Sequence, residues 1–209
     1  MKNSSDVKIM LKEAGILFAI TLIAGLLLGF VYELTKEPIA EQERKAVQDA
    51  CRTTFQEAET FRETDYTPSA VLAESLAGKG VTIGTVYEAC GADGSLLGYV
   101  IESSSREGYG SSPIVLYTGI TRDGIINGVS ILSISETAGL GMRAEEVLVP
   151  QFREKKAETF VYTKSGAKAD NEIDAITSAT MTTAAFTDAV NGAVEAAAEL
   201  GIRGGDGNE

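Results

Sequence analysis

The sequence predicts an α+β fold: an antiparallel sheet flanked by helices, held outside the membrane behind a single N-terminal transmembrane helix. Three observations lead there. Ala14–Tyr32 is uncharged throughout, four β-branched and aromatic runs between residues 81 and 135 are parted by glycine-containing turns, and helical patterns precede and follow them. The layout divides into a cytoplasmic N-terminus (1–13), a membrane span (14–33), a helical stalk (34–62), the main domain (63–200) and a disordered tail (201–209).

The span reads AGILFAITLIAGLLLGFVY. As a helix it covers roughly 28 Å, close to the hydrocarbon thickness of a bilayer. A cleaved signal peptide has a shorter apolar stretch and a small-residue cleavage site, and Tyr32–Pro38 offers no such site. An uncleaved anchor is the better reading. Lys2, Lys8 and Lys12 precede the span and Lys36 follows it, so the positive-inside rule puts the N-terminus in the cytoplasm and the domain outside. The acidic and basic residues of 1–33 cancel, which places the whole net charge of −12 on the remainder of the chain.

The elements follow in order. Ile39–Ala58 is rich in Ala, Glu, Gln, Arg and Lys and continues the anchor as a helix. Thr64–Gly80 is mixed, with turn signals around Pro68 and Gly78. Val81–Cys90 and Leu96–Ser104 form one hairpin, and Pro113–Thr121 and Ile125–Ser135 a second across Arg122-Asp123-Gly124. A short helix runs from Ala144 to about Lys156, interrupted near Pro150, and Thr159–Thr163 is a further strand. From Met181 the chain is helical, with Phe186, Val190, Val194 and Ala197 on one apolar stripe.

Composition removes several chemistries. With no histidine, there is no Ser-His-Asp triad and no His-ligated zinc or haem. Two cysteines cannot hold a four-thiolate cluster, and Cys51 and Cys90 lack the close spacing of a metal site. They read equally as a disulfide or as two buried thiols. A net charge of −12 argues against nucleic-acid binding. Glu136 and Asp174 are the carboxylates open to acid–base or nucleophilic roles, although a loop carboxylate is more often solvated or capping.

The informative stretch is Asp174-Ala175-Ile176-Thr177-Ser178-Ala179-Thr180-Met181-Thr182-Thr183, directly before the last helix. Hydroxyl side chains there serve as helix caps. A helix N-terminus also attracts phosphate, and a threonine hydroxyl at that spot can carry one as an ester.

Asp174–Thr180 resembles the flavinylation motif of the FMN-binding domain family. Ser135-Glu136-Thr137-Ala138-Gly139-Leu140-Gly141 resembles that family's Glu-Thr-Pro-Gly-Leu-Gly loop, with Ala138 for proline, and Gly108-Tyr109-Gly110 resembles its Gly-Tyr-Gly segment. The resemblance implies FMN attached through its phosphate to Thr180 by a flavin transferase. Thr177, Ser178 (where the motif has glycine) and Ala179 complete the core. Asp174 begins the transferase's recognition sequence, and Thr182 is the fallback acceptor. Glu136, Thr137, Gly139, Leu140 and Gly141 form the loop near the flavin.

The anchored layout resembles the G subunits of ion-translocating ferredoxin:NAD (Rnf-type) complexes. The flavin subunits of the sodium-pumping NADH:quinone reductase type share the anchor and the motif, and the shorter chain and the Asp-Ala-Ile start favour the Rnf side. That likeness implies an electron carrier working with other membrane subunits rather than a self-contained enzyme. An anchored binding domain that has lost its flavin is the alternative.

Overall fold

The structure, a computed structural model, describes residues 4–202, with side chains from residue 7 onward. It comprises two compact units, Met1–Lys45 and Ala46–Glu209.

The first unit is helical. It holds most of helix α1 (Ser4–Thr54), which runs unbroken through Pro38 although that residue supplies no N–H to the ladder. Its apolar side chains are exposed, among them Leu17, Phe18, Leu26, Leu28 and Phe30. Residues 7–54 form the one helix among those described that is long and apolar enough to cross a membrane.

The second unit is built on a five-stranded antiparallel sheet in the order β1 (Thr60–Glu63), β2 (Val81–Cys90), β3 (Leu96–Ser105), β4 (Ile114–Thr121) and β5 (Ile126–Ser133). The two hairpins lie where glycine turns place them, and Gly94 and Gly124 adopt φ of 79° and 71° in their bends. Between β1 and β2 lies α2 (Ala70–Ala77), capped by the Ser69 hydroxyl, which accepts from the Leu72 N–H. After β5 come a 3₁₀ turn (Gly141–Arg143), two single-turn helices, α3 (Ala144–Val147) and α4 (Val149–Phe152), and a parallel pair, β6 (Val161–Thr163) with β7 (Glu172–Asp174). The chain closes with α5 (Thr180–Glu199).

Each face of the sheet buries a different partner. On one face α5 lies over β3, β4 and β2, and Phe186, Ala189 and Val190 join Ile101, Leu116 and Ile120 in the main core. Phe152 stacks on Phe186 at 5.7 Å and meets Phe160 edge-on at 5.1 Å. Asn191 clamps Phe160 from α5: its Oδ1 accepts from the Phe160 N–H at 2.8 Å and its Nδ2 donates to the Phe160 carbonyl at 2.9 Å.

On the other face the last turns of α1 bring Cys51 and Phe55 against Ala89, Val100 and Tyr117. A Cβ at Gly98 would collide with the Ile120 carbonyl, and one at Gly119 would sit 2.9 Å from Phe55 and Thr54. The glycines therefore admit Phe55 to the sheet.

Several expectations change. The helical stalk (34–62) is helical only to Thr54. Residues 60–63 pair with β2 as an edge strand, where an Arg62–Glu88 ion pair at 3.0 Å supports a polar segment that local composition reads as helix. The region 64–80 contains α2, and the helix expected over 144–156, which does break near Pro150, ends at Phe152. The tail expected to be disordered (201–209) lies outside the described residues from 203 on. Its first residues are ordered: Ile202 is buried and donates its N–H to the Ala197 carbonyl at 2.9 Å.

The two cysteines are free, buried thiols. Burial, aided by the nearby Glu102 charge, pushes the Cys51 thiol up to about 12. The Cys90 Sγ accepts from Arg62 at 3.4 Å.

Candidate functional site

Strands β3 and β5 both run antiparallel to β4, so they point the same way and their following loops leave the sheet at one end. The Glu136 carboxylate joins these loops to the start of α5. Its Oε1 accepts from the Gly110 N–H at 3.1 Å, and its Oε2 accepts from the Thr182 hydroxyl at 2.8 Å. Glycines make the approach possible: a Cβ at Gly108 would strike Glu136 Oε1, and one at Gly141 would lie 2.5 Å from Thr182 Oγ1 and 2.7 Å from Glu136 Cβ. Three chain segments far apart in sequence meet here.

The β6–β7 pair sets the other side. Thr163 pairs with Asp174, and the Ala175 N–H donates to the Thr163 carbonyl at 2.8 Å, so Lys164 emerges beside the segment that enters α5. That segment turns sharply at Ser178, whose φ is 64°. The residue before α5 is Ala179, and no side chain caps the helix. The expected hydroxyl cap is thus absent. Instead Thr183, fully buried, accepts the Ile176 N–H at 3.1 Å and donates to the Ala179 carbonyl at 2.9 Å. The first-turn N–H groups of α5 face no capping hydroxyl.

Two cavities meet at Thr180. The larger, about 430 Å³, is lined by Tyr109, Glu136, Thr137, Leu140, Gly141 and residues 178–182. The smaller, about 280 Å³, is lined by Lys164, residues 175–178 and Thr180. Thr180 and Ser178 border both. Thr180 is half-buried, whereas Thr182 is 1% exposed with its hydroxyl committed to Glu136. Of these two hydroxyls, that of Thr180 is the more accessible.

The family model of the FMN-binding domain matches residues 108–195, a span that contains both cavities, and that of the RnfG N-terminal region matches residues 1–52. The chain is 32% identical over 197 residues to the G subunit of the Na(+)-translocating ferredoxin:NAD(+) oxidoreductase complex of Acetobacterium woodii, covering 93% of this chain and 94% of that one. It is 31% identical to the G subunit of the proton-translocating ferredoxin:NAD(+) oxidoreductase complex of Clostridium ljungdahlii, over 88% of this chain and 93% of that one.

The chain belongs to the Rnf G-subunit family. A more distant member, the G subunit of the ion-translocating oxidoreductase complex of Methanosarcina acetivorans, is 27% identical over 91% of this chain and 96% of its own.

The backbone tests whether this Rnf G-type chain fits FMN. Where the family motif has glycine the backbone occupies the left-handed region, the conformation that glycine adopts most readily, and Ser178 retains it. The larger cavity also lies within the size range of cofactor sites. Of the residues expected at the site, Thr177, Ser178, Ala179, Thr180, Glu136, Thr137, Leu140 and Gly141 line one or both cavities.

Asp174 and Gly139 do not. The Asp174 carboxylate accepts from the Ala167 N–H at 2.6 Å, and Gly139 shapes its loop with φ of 76°. Lys164 and Met181 line the cavities without any sequence motif to mark them. Tyr109 lies inside a recognised segment that assigns it no role. Lys164 becomes visible only through the β6–β7 register.

Proposed function

We propose that the chain is a membrane-anchored electron-transfer subunit of an Rnf-type ion-translocating complex, carrying FMN as a phosphoester on Thr180. The observation that carries this reading is Thr180 itself: a half-buried hydroxyl at the uncapped start of a 20-residue helix, bordering two cavities at once. Residues 14–33 span the membrane, the N-terminus is cytoplasmic, and the main domain is extracytoplasmic. Other membrane subunits of the complex are its partners, and a flavin transferase matures it.

Bound FMN supplies reversible electron uptake and release. The chain's own residues hold the cofactor and set its surroundings. The positive end of α5 and its first-turn N–H groups offset phosphate charge at Thr180, and Lys164 adds a cation in the smaller cavity. The larger cavity offers Tyr109, Leu140 and Met181 as apolar surface for a ring. Glu136 fixes that wall by tying the loops after β3 and β5 to α5. An ester cannot dissociate, so a flavin held this way outside the membrane is not lost by dilution. No proton-transfer residue is required of the protein, which accords with the absence of histidine.

The test is co-expression of the full chain with a flavin transferase, followed by denaturing gel fluorescence and intact mass. The expected result is a fluorescent band and a mass gain of FMN less water, both lost in Thr180→Ala. A colourless wild-type chain of unmodified mass contradicts the reading.

A further inference from the structure

Among the residues lining the larger cavity, Glu136 is the sole charged side chain. It has no ion-pair partner among the described residues. Nor is its carboxylate free to swing. Each oxygen accepts one hydrogen bond, from the Gly110 N–H and the Thr182 hydroxyl, and the glycines at 108 and 141 stand where any Cβ would displace it. Donors from two separate segments hold one uncompensated charge in a largely apolar hollow.

We propose that Glu136 is a fixed negative charge that lowers the reduction potential of the flavin ring. This rests on the reading of Thr180 as the attachment site, and makes Glu136 a positioning and tuning residue. Oxidised flavin is neutral at its ring. Full reduction adds two electrons with either two protons, which leaves the ring neutral, or one proton, which leaves it negative. A carboxylate held beside the ring disfavours the negative product, and so opposes reduction. The smaller cavity keeps the one lining cation, Lys164, on the other side of Thr180, where the phosphate charge lies under this reading.

The experiment compares full-length wild type and Glu136→Gln, each loaded by a flavin transferase and checked by intact mass. Midpoint potentials are measured by spectroelectrochemistry with mediator dyes. Glutamine keeps the shape and removes the charge: its Oε1 can still accept from the Gly110 N–H, while its Nε2 donates to the Thr182 hydroxyl oxygen and reverses that bond. The expected result is a higher midpoint in Glu136→Gln by about 30 mV, corresponding to a tenfold change in a two-electron equilibrium. Equal midpoints in two fully loaded proteins overturn the proposal and leave Thr180 untouched.

A wild-type chain that gains no mass instead sinks the attachment reading, and this proposal with it. If Glu136→Gln is too unstable to load, Glu136→Met combined with Thr182→Val decides, since it removes the charge together with the hydroxyl that it binds and leaves no polar group unpaired between them. A midpoint in that loaded chain no higher than the wild type's overturns the proposal.

Discussion

The two ends of α5 meet opposite surroundings. From Ala185 to Ala197 the helix is pressed into the sheet, with Phe186, Ala189, Val190, Ala193, Ala196 and Ala197 all fully buried. In its first turn Thr180 is half-buried, Met181 is 54% exposed and no side chain caps the end. The later turns hold the helix in place by burial and by the Asn191 clamp on Phe160. Thr180 and Met181 are thereby released from packing duty, and the helix start can offer a hydroxyl, unpaired N–H groups and a helix dipole to a ligand. Under the proposed attachment to Thr180, fold and chemistry occupy different turns of one helix, so substitutions should separate them.

The largest expected effect lies at the packing end. Phe186→Ala removes a ring that touches Phe152 and the sheet, and should cost about 3–5 kcal/mol, read by denaturant unfolding of the detergent-solubilised chain. A cost near zero would mean that α5 is not held by this core.

Thr182→Val comes next, since it keeps the shape and deletes the donor to Glu136. A loss of about 1 kcal/mol is expected, because the half-buried carboxylate retains the Gly110 N–H and some access to water. Flavin attachment should persist. Loss of the flavin with full stability would reverse the roles of the two threonines.

Ser178→Gly should stabilise by about 0.5 kcal/mol. Relief of the left-handed backbone is partly offset by the greater freedom of glycine in the unfolded chain. A destabilised glycine variant would show that the serine side chain has a use at this turn.

The smallest effect belongs to Asp188, midway along the helix. Burial raises its carboxyl above the usual range; Lys79 counteracts this and Glu107 adds to it. A carboxyl raised in the folded state binds its proton more tightly there, so stability falls as pH rises from the unfolded value through the folded one. Asp188→Asn should therefore raise the melting temperature slightly at neutral pH, and the gain should shrink once the medium is acidic enough to protonate Asp188 in both states. An advantage that persisted unchanged into acid would exclude this cause.

The sequence displays the packing end of α5 more openly than the reactive end. Phe186, Val190 and Val194 announce their helix by spacing, and strands β2 to β5 by β-branched runs between glycine turns. Short elements do not announce themselves. β1 and β7 owe their strand state to partners distant in sequence, and the polar Thr60–Glu63 is held by β2 rather than by its own preference.

At the site, motif resemblance indicates Glu136 and Thr180. It does not show that the Glu136 carboxylate binds Thr182, which links residues 46 positions apart, nor that Lys164 is brought alongside by strand pairing. Asp174 and Gly139 are expected at the site through their motif positions, yet neither lines a cavity.

The most direct test of the central claim is peptide-level mass spectrometry of the chain matured with a flavin transferase. An FMN phosphoester mass is expected on Thr180, with Thr177, Ser178, Thr182 and Thr183 unmodified. The same modification found on Thr182, or on no residue of 174–183, would contradict it.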